Sequence, residues 1–190
     1  MEQLIVGKSL EMQLAALLDT LPSDATVSYM VTRLNEGEEA TIVASSKETI
    51  VHTGASMVKT LILEYVFHLA AQEQLDLNDT IALSRSPRVE GAGALMELVG
   101  NHSFSYLELC RLMMVLSDNW ATNLLIQALG MENINARAEQ LGLEHFEINR
   151  MMMDFTAVKE NRENYITAMD MAVLLHHIYA VSYTHLTLPT

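Results

Sequence analysis

Leu10, Leu14, Leu17 and Leu18 recur at helical spacing until Leu21-Pro22-Ser23-Asp24 breaks the pattern, which predicts an amphipathic first helix laid on one face of a sheet. From Ala25 to Leu34 the chain is rich in Val, Thr and Tyr. Asn35-Glu36-Gly37-Glu38 reads as a turn and Ala40 to Ala44 is apolar again, so an antiparallel hairpin is expected, followed by a short strand at Thr49 to His52. The next stretch is apolar on nearly every side (Met57, Val58, Leu61, Ile62, Leu63, Val66, Phe67, Leu69, Ala70), which predicts a helix starting at Ser56 and buried at the centre of the domain. Asp76 to Thr80 is a polar turn, and Ser84 to Gly93 is a loop carrying Pro87, Gly91 and Gly93. Ser105 and Glu108 form a capping box that places a helix from Tyr106 to about Leu116. A second helix follows from Trp120 to Leu129, stopped by Gly130, and a third from about Glu132 to Gln140, stopped by Gly142. Thr167 with Asp170 opens a last helix through Tyr179. The pattern therefore confines the strands to the first third and makes the chain helical from Ser56 onward.

The start of the central helix carries chemistry. Ser56 and Lys59 lie one turn apart on one face, so a hydroxyl and an amine come within hydrogen-bonding reach. A lysine in the first turn of a buried helix is desolvated, burial disfavours its ammonium, and the neutral amine is a base able to take the Ser56 proton. Free N–H groups at the helix N-terminus face the same place and suit a developing oxyanion. About sixty residues downstream, Ser117-Asp118-Asn119 stands at a helix-to-helix turn.

Ser-x-x-Lys together with Ser-Asp-Asn resembles class A β-lactamases and penicillin-binding proteins. The likeness runs from about Ala25 to Tyr179 and includes Leu107 to Cys110, Ala121 to Leu125 and Asn164 to Ala168. It implies an α+β fold, β-lactamase/DD-peptidase-like, with a helical lobe and an antiparallel sheet of which only the N-terminal strands are present. Residues 25–52 would be the strands and 56–180 the helical lobe of a serine hydrolase domain spanning 1–180. The resemblance assigns Ser56 as nucleophile, Lys59 as its base, Ser117 as the hydroxyl relaying a proton to the leaving nitrogen, and Asn119 as the group holding Lys59 and the substrate amide. Asp118 is expected to fix the turn by accepting backbone N–H bonds.

Two departures from the family pattern bear on turnover. Efficient β-lactam hydrolases of the family carry Glu-x-x-Leu-Asn in the loop after the third helix, the glutamate activating the deacylating water. Here the loop reads Glu147-Ile148-Asn149-Arg150-Met151-Met152-Met153-Asp154-Phe155, leaving Asp154 or Glu147 as substitute bases, and position within about an ångström decides such steps. There is also no Lys-Thr-Gly, the motif that in the family binds the substrate carboxylate opposite the nucleophile. The expected function is a serine hydrolase forming an acyl-enzyme on Ser56 with a β-lactam or a related amide or ester. The alternatives are a penicillin-binding or esterase-like protein that acylates with slow turnover, and an inactive fragment.

Composition narrows the partners. With 190 residues, half of them hydrophobic, the chain is long enough for one sizeable core. A formal charge of −13, from 11 basic and 24 acidic residues, repels phosphate backbones and anionic membranes, so neither nucleic acid nor membrane is an expected partner; the family resemblance implies a small-molecule substrate. The single cysteine, Cys110, sits in the apolar run Leu107 to Leu116 and reads as a buried thiol; the thirteen methionines read mainly as core filler. His176 and His177 are adjacent and point to different helix faces while the other histidines are scattered, so no metal or other cofactor is expected, and Glu64 with His68 reads as an i, i+4 pair. Met1-Glu2-Gln3 has no positive n-region and Lys8, Glu11 and Asp19 interrupt every early apolar run, which implies the cytoplasm unless the true start lies upstream; the resembled family usually acts outside the cytoplasmic membrane. Val181 to Thr190 reads as one frame of a common transposon-derived sequencing adapter, a non-native tail expected to break the last helix near Ala180.

Overall fold

The structure, a computed structural model, describes residues 9–34 and 40–185. Helix α1 (Leu10–Leu18) is capped by Ser9, whose hydroxyl accepts the Met12 N–H at 3.4 Å. It lies against the second strand as expected, yet none of its residues is buried. Strands β1 (Tyr29–Arg33) and β2 (Thr41–Ser46) pair antiparallel, Tyr29 opposite Ser46 and Arg33 opposite Thr41, with a register shift between Val31 and Thr32. This is the predicted hairpin; its Asn35 to Glu38 turn lies outside the described residues.

Strands do not stop after the first third, which corrects the sequence expectation. After β3 (His52–Thr53), β4 (Thr80–Ala82) pairs antiparallel with β5 (Ser103–Ser105), and β6 (Tyr165–Ile166) pairs with β3, His52 facing Ile166. Strands of two or three residues are too short to show a period of two, so alternation could not reveal them. Thr80 ends a polar turn and Ser105 caps a helix, and each is a strand residue as well.

Helices α3 (Tyr106–Val115), α4 (Asn119–Leu129) and α5 (Met131–Gln140) stand within a residue of where periodicity and caps placed them, while α2 (Lys59–Ala71) starts three residues later than predicted. The α3 capping box is complete, Ser105 N–H donating to Glu108 Oε2 at 2.8 Å and Glu108 N–H to Ser105 Oγ at 3.2 Å. A five-residue helix α6 (Phe155–Lys159), capped by the Asp154 carboxylate, was not legible. Helix α7 (Ala168–His185) starts after Thr167, whose hydroxyl accepts the Asp170 N–H at 3.0 Å, but continues past Ala180, so the expected break at Val181 does not occur. No glycine or proline intervenes before Pro189 to end it.

Helix α2 is the hub. Val58, Leu61, Ile62 and Val66 are fully buried in one cluster with Leu109 and Met113 of α3, Leu124 and Leu125 of α4, Ile134 of α5 and Leu174 of α7. Each such side chain contributes roughly 1.5–3 kcal/mol by leaving water. Cys110 is buried in the same cluster, and burial pushes its thiol up to about 12, the behaviour of an inert structural cysteine. The Glu64/His68 pair does not form. Glu64 instead takes the Arg137 fork, Nε at 3.0 Å and Nη2 at 2.5 Å, with His177 Nε2 at 3.1 Å, while His68 stacks on Tyr65. A guanidinium matches both carboxylate oxygens at once, which an imidazole one turn away cannot do.

Candidate active site

Gly54 approaches the reactive turn under close constraint: its N–H donates to the Asn164 carbonyl at 2.7 Å, and a Cβ there would stand 2.6 Å from Val58 Cγ1. Ala55 then adopts φ 43°, a left-handed conformation that costs an L-residue roughly 1–2 kcal/mol. Ala55 opens a 3-10 turn (Ala55–Val58), so Ser56 precedes α2 and Lys59 is its first residue, three positions later than predicted. The spacing survives the shift: Lys59 Nζ lies 3.3 Å from Ser56 Oγ.

The second component arrives from the α3–α4 turn. Ser117, two residues past α3, has φ 53°, again left-handed, and this conformation turns its hydroxyl to within 3.0 Å of Ser56 Oγ and 2.8 Å of Lys59 Nζ. Lys59 also donates to the Ser117 carbonyl at 2.7 Å and to Asn119 Oδ1 at 3.1 Å. Those two oxygens only accept, so they take two N–H bonds whether the amine is charged or neutral. The remaining direction faces two hydroxyls that can donate or accept, and a neutral amine can therefore turn its lone pair to one of them with no group orphaned. Ser56 is exposed, Ser117 half-buried, and Lys59 is 2% exposed. Burial pushes the Lys59 amine down from 10.5 to about 8, and the nearby Asp118 carboxylate opposes part of that fall.

Asp118 is the clamp that sequence reasoning expected. One carboxylate oxygen accepts the Ala94 and Leu95 N–H groups at 2.7 and 2.9 Å, the other the Ala121 N–H at 2.9 Å, while the Asn119 N–H reaches the Ala92 carbonyl at 3.0 Å. The Gly91 to Gly93 loop thus seals the turn from outside. Gly93 has φ 127°, and a Cβ on it would sit 2.3 Å from the Asp118 carboxylate.

The two substitute bases fare differently. Asp154 spends its Oδ1 on the Ala157 N–H at 3.0 Å as the α6 cap, and Glu147 is exposed, its Oε2 accepting from Asn149 Nδ2 at 2.9 Å and its backbone bridged to Tyr165. Neither hydrogen-bonds Ser56, Lys59, Ser117 or Asn119.

Sequence reasoning missed three asparagines that hold the loop between them, of which Asn135 grips Ile148, its Oδ1 accepting the N–H at 2.9 Å and its Nδ2 donating to the carbonyl at 3.0 Å. Asn123 grips Met152 on both sides, Nδ2 donating to its carbonyl at 3.1 Å and Oδ1 accepting its N–H at 2.8 Å. Buried Asn164 accepts the Asn149 and Arg150 N–H groups at 2.8 and 3.0 Å, and its own carbonyl is the one that holds Gly54. Asn123 and Asn164 fall in the segments that carried the family likeness, which was their available signal; Asn135 does not.

A helical lobe around a buried Ser-x-x-Lys helix, with small antiparallel strand pairs, defines the β-lactamase/DD-peptidase-like class of serine hydrolases. The chain belongs to the beta-lactamase enzyme family, whose model matches residues 9–187. Beta-lactamase BRO-1 of Moraxella catarrhalis is 31% identical over 97 residues, covering 47% of this chain and 31% of that protein. A β-lactamase from Sphaerobacter thermophilus superposes with a TM-score of 0.70 at 26% identity over 81% of this chain and 56% of that one. A PBP-A variant, solved as an acyl-enzyme complex with penicillin G, gives 0.74 at 25% identity over 90% and 61%. The chain thus spans less than two thirds of each of these relatives. Among the described residues no helix is long and apolar enough to cross a membrane.

Proposed function

We propose that Ser56 is the nucleophile of a serine hydrolase that forms an acyl-enzyme with a β-lactam or a related amide or ester. The observation that carries this reading is the Lys59 amine, buried, lowered to about 8 and within 3.3 Å of both the Ser56 and Ser117 hydroxyls. Lys59 takes the Ser56 proton as Oγ bonds to the substrate carbonyl carbon. Ser117, 3.0 Å from Ser56, passes a proton to the leaving nitrogen, and Asn119 orients the substrate amide while its Oδ1 holds Lys59. Intact-mass measurement after incubation with fluorescent penicillin should show one adduct per chain, absent in Ser56→Ala and slowed by orders of magnitude in Lys59→Ala. A cooperatively folded chain that takes no label, or label that survives Ser56→Ala, would overturn the assignment.

A second reading, persistent acylation rather than rapid turnover, is favoured by the commitment of Asp154 to its helix cap and of Glu147 to Asn149. The penicillin acyl-enzyme captured on a PBP-A variant supports it as well. Deacylation then limits the cycle, and a chromogenic cephalosporin should give a burst of about one equivalent followed by a slow rate. Fast steady turnover without a burst would show that one of the two carboxylates, or another group, activates water efficiently.

A further inference from the structure

Helix α2 carries Lys59 at one end and a second recess at the other. Between the last two turns of α2, α5 and the C-terminal half of α7 lies a cavity of about 300 Å³. Leu63, Phe67, Ala71 and Ile178 line it, and Glu64, Arg137, His177 and His68 form its polar side. Nine residues of helix place His68 about 13 Å along the axis from Lys59, so the recess is distinct from the serine site.

The polar side dictates what the cavity accepts. The Arg137 fork and His177 Nε2 all converge on the Glu64 carboxylate, and Arg137 Nη1 reaches Gln140 Oε1 at 3.3 Å, so cation and anion are matched within the wall. An added anion would meet Glu64 and an added cation Arg137, each desolvated without a partner. His68 differs: neither ring nitrogen has a hydrogen-bond partner among the described residues, and burial, with Arg137 adding to it, holds the imidazole below its usual range and so neutral at pH 7. A neutral imidazole offers one donor and one acceptor. Volume sets the size of the apolar body, since a cavity of about 150 Å³ takes benzene and one of twice that volume takes two fused rings.

We propose that this cavity is a binding site for a neutral, bicyclic aryl alcohol, its rings against Leu63, Phe67 and Ile178 and its hydroxyl on the His68 imidazole. The probe is 2-naphthol, added to the 190-residue chain and followed by its fluorescence and by chemical-shift changes. Binding saturates at one equivalent with shifts centred on Leu63, Phe67 and Ile178, and 2-naphthoate, the anionic analogue, binds at least about tenfold more weakly. Ala71→Trp, which adds an indole at an exposed residue of the lining, and His68→Phe, which keeps ring shape without hydrogen bonding, each weaken binding by several-fold or more. Neither residue belongs to the serine site, so penicillin labelling of Ser56 stays unchanged. Should Ala71→Trp lose its cooperative melt, the near-isosteric His68→Phe carries the comparison. Non-saturating binding, binding undiminished in the folded variants, or equal binding of 2-naphthoate overturns the proposal.

Discussion

The lowered Lys59 titration makes the pH dependence of acylation the sharpest test of the site. If the neutral amine is the base and its midpoint lies at about 8, the competent fraction is about 1% at pH 6, about 9% at pH 7 and about 90% at pH 9. The acylation rate should therefore climb about tenfold between pH 6 and 7, about tenfold more between 7 and 9, and then level. An unshifted lysine near 10.5 would give an uninterrupted rise of about a thousandfold between pH 6 and 9 with no plateau. Rapid-quench labelling with fluorescent penicillin at fixed ionic strength measures this directly, because it isolates the first bond-forming step from deacylation. A rate that is flat across the range would remove Lys59 as the base. A unit slope persisting through pH 9 would show that burial does not lower its titration.

The same displacement has a thermodynamic counterpart: the folded chain releases the Lys59 proton near pH 8 and the unfolded chain near 10.5, so urea midpoints should gain a Lys59 contribution as pH rises between those values, lost in Lys59→Met. Asp118→Ala strands the Ala94, Leu95 and Ala121 N–H groups and should lower stability by about 3 kcal/mol or more in urea unfolding; a loss under about 1 kcal/mol would mean that the turn holds without its clamp. Gly93→Ala drives a Cβ into that carboxylate and should slow Ser56 labelling while leaving far-ultraviolet circular dichroism near wild type. Arg137→Met leaves the Glu64 carboxylate buried without its fork and should cost about 3–5 kcal/mol, whereas the double replacement Glu64→Leu/Arg137→Met should recover much of it; equal losses in both would show that packing, not charge, dominates there.

Much of this architecture was legible because local signals agreed with the global fold. The α3 capping box, the Thr167 cap, Gly130 and the unbroken apolar face of α2 fixed helix starts to within three residues, and Ser56, Lys59, Ser117 and Asn119 do meet in space. What escaped was non-local. The partnership of β3 with β6 joins residues more than a hundred positions apart, and nothing in Tyr165-Ile166 alone announces a strand. Glu64 illustrates the same limit: spacing on its own helix proposed His68, but the side chain chose Arg137, 73 residues away, because fork geometry outcompetes proximity in sequence. The left-handed turns at Ala55 and Ser117 were equally silent, since neither position carries a glycine or asparagine.

The loop from Glu147 to Asp154 is held largely through its backbone, by the side-chain amides of Asn123, Asn135 and Asn164 and by the pairing of Glu147 with Tyr165, with the Arg150–Glu163 ion pair beside them. Its path is thus written largely in residues that lie outside it, with Ile148 and Met152 anchored in the core and Met153 left exposed. Such a segment is mutationally permissive at exposed Met153 and fragile at the remote asparagines that hold its backbone. Natural variation could therefore rewrite what this rim recognises, or install a water-activating carboxylate there, without first having to rebuild the scaffold. Drift at Asn123 or Asn164 would close that route before any new chemistry arose.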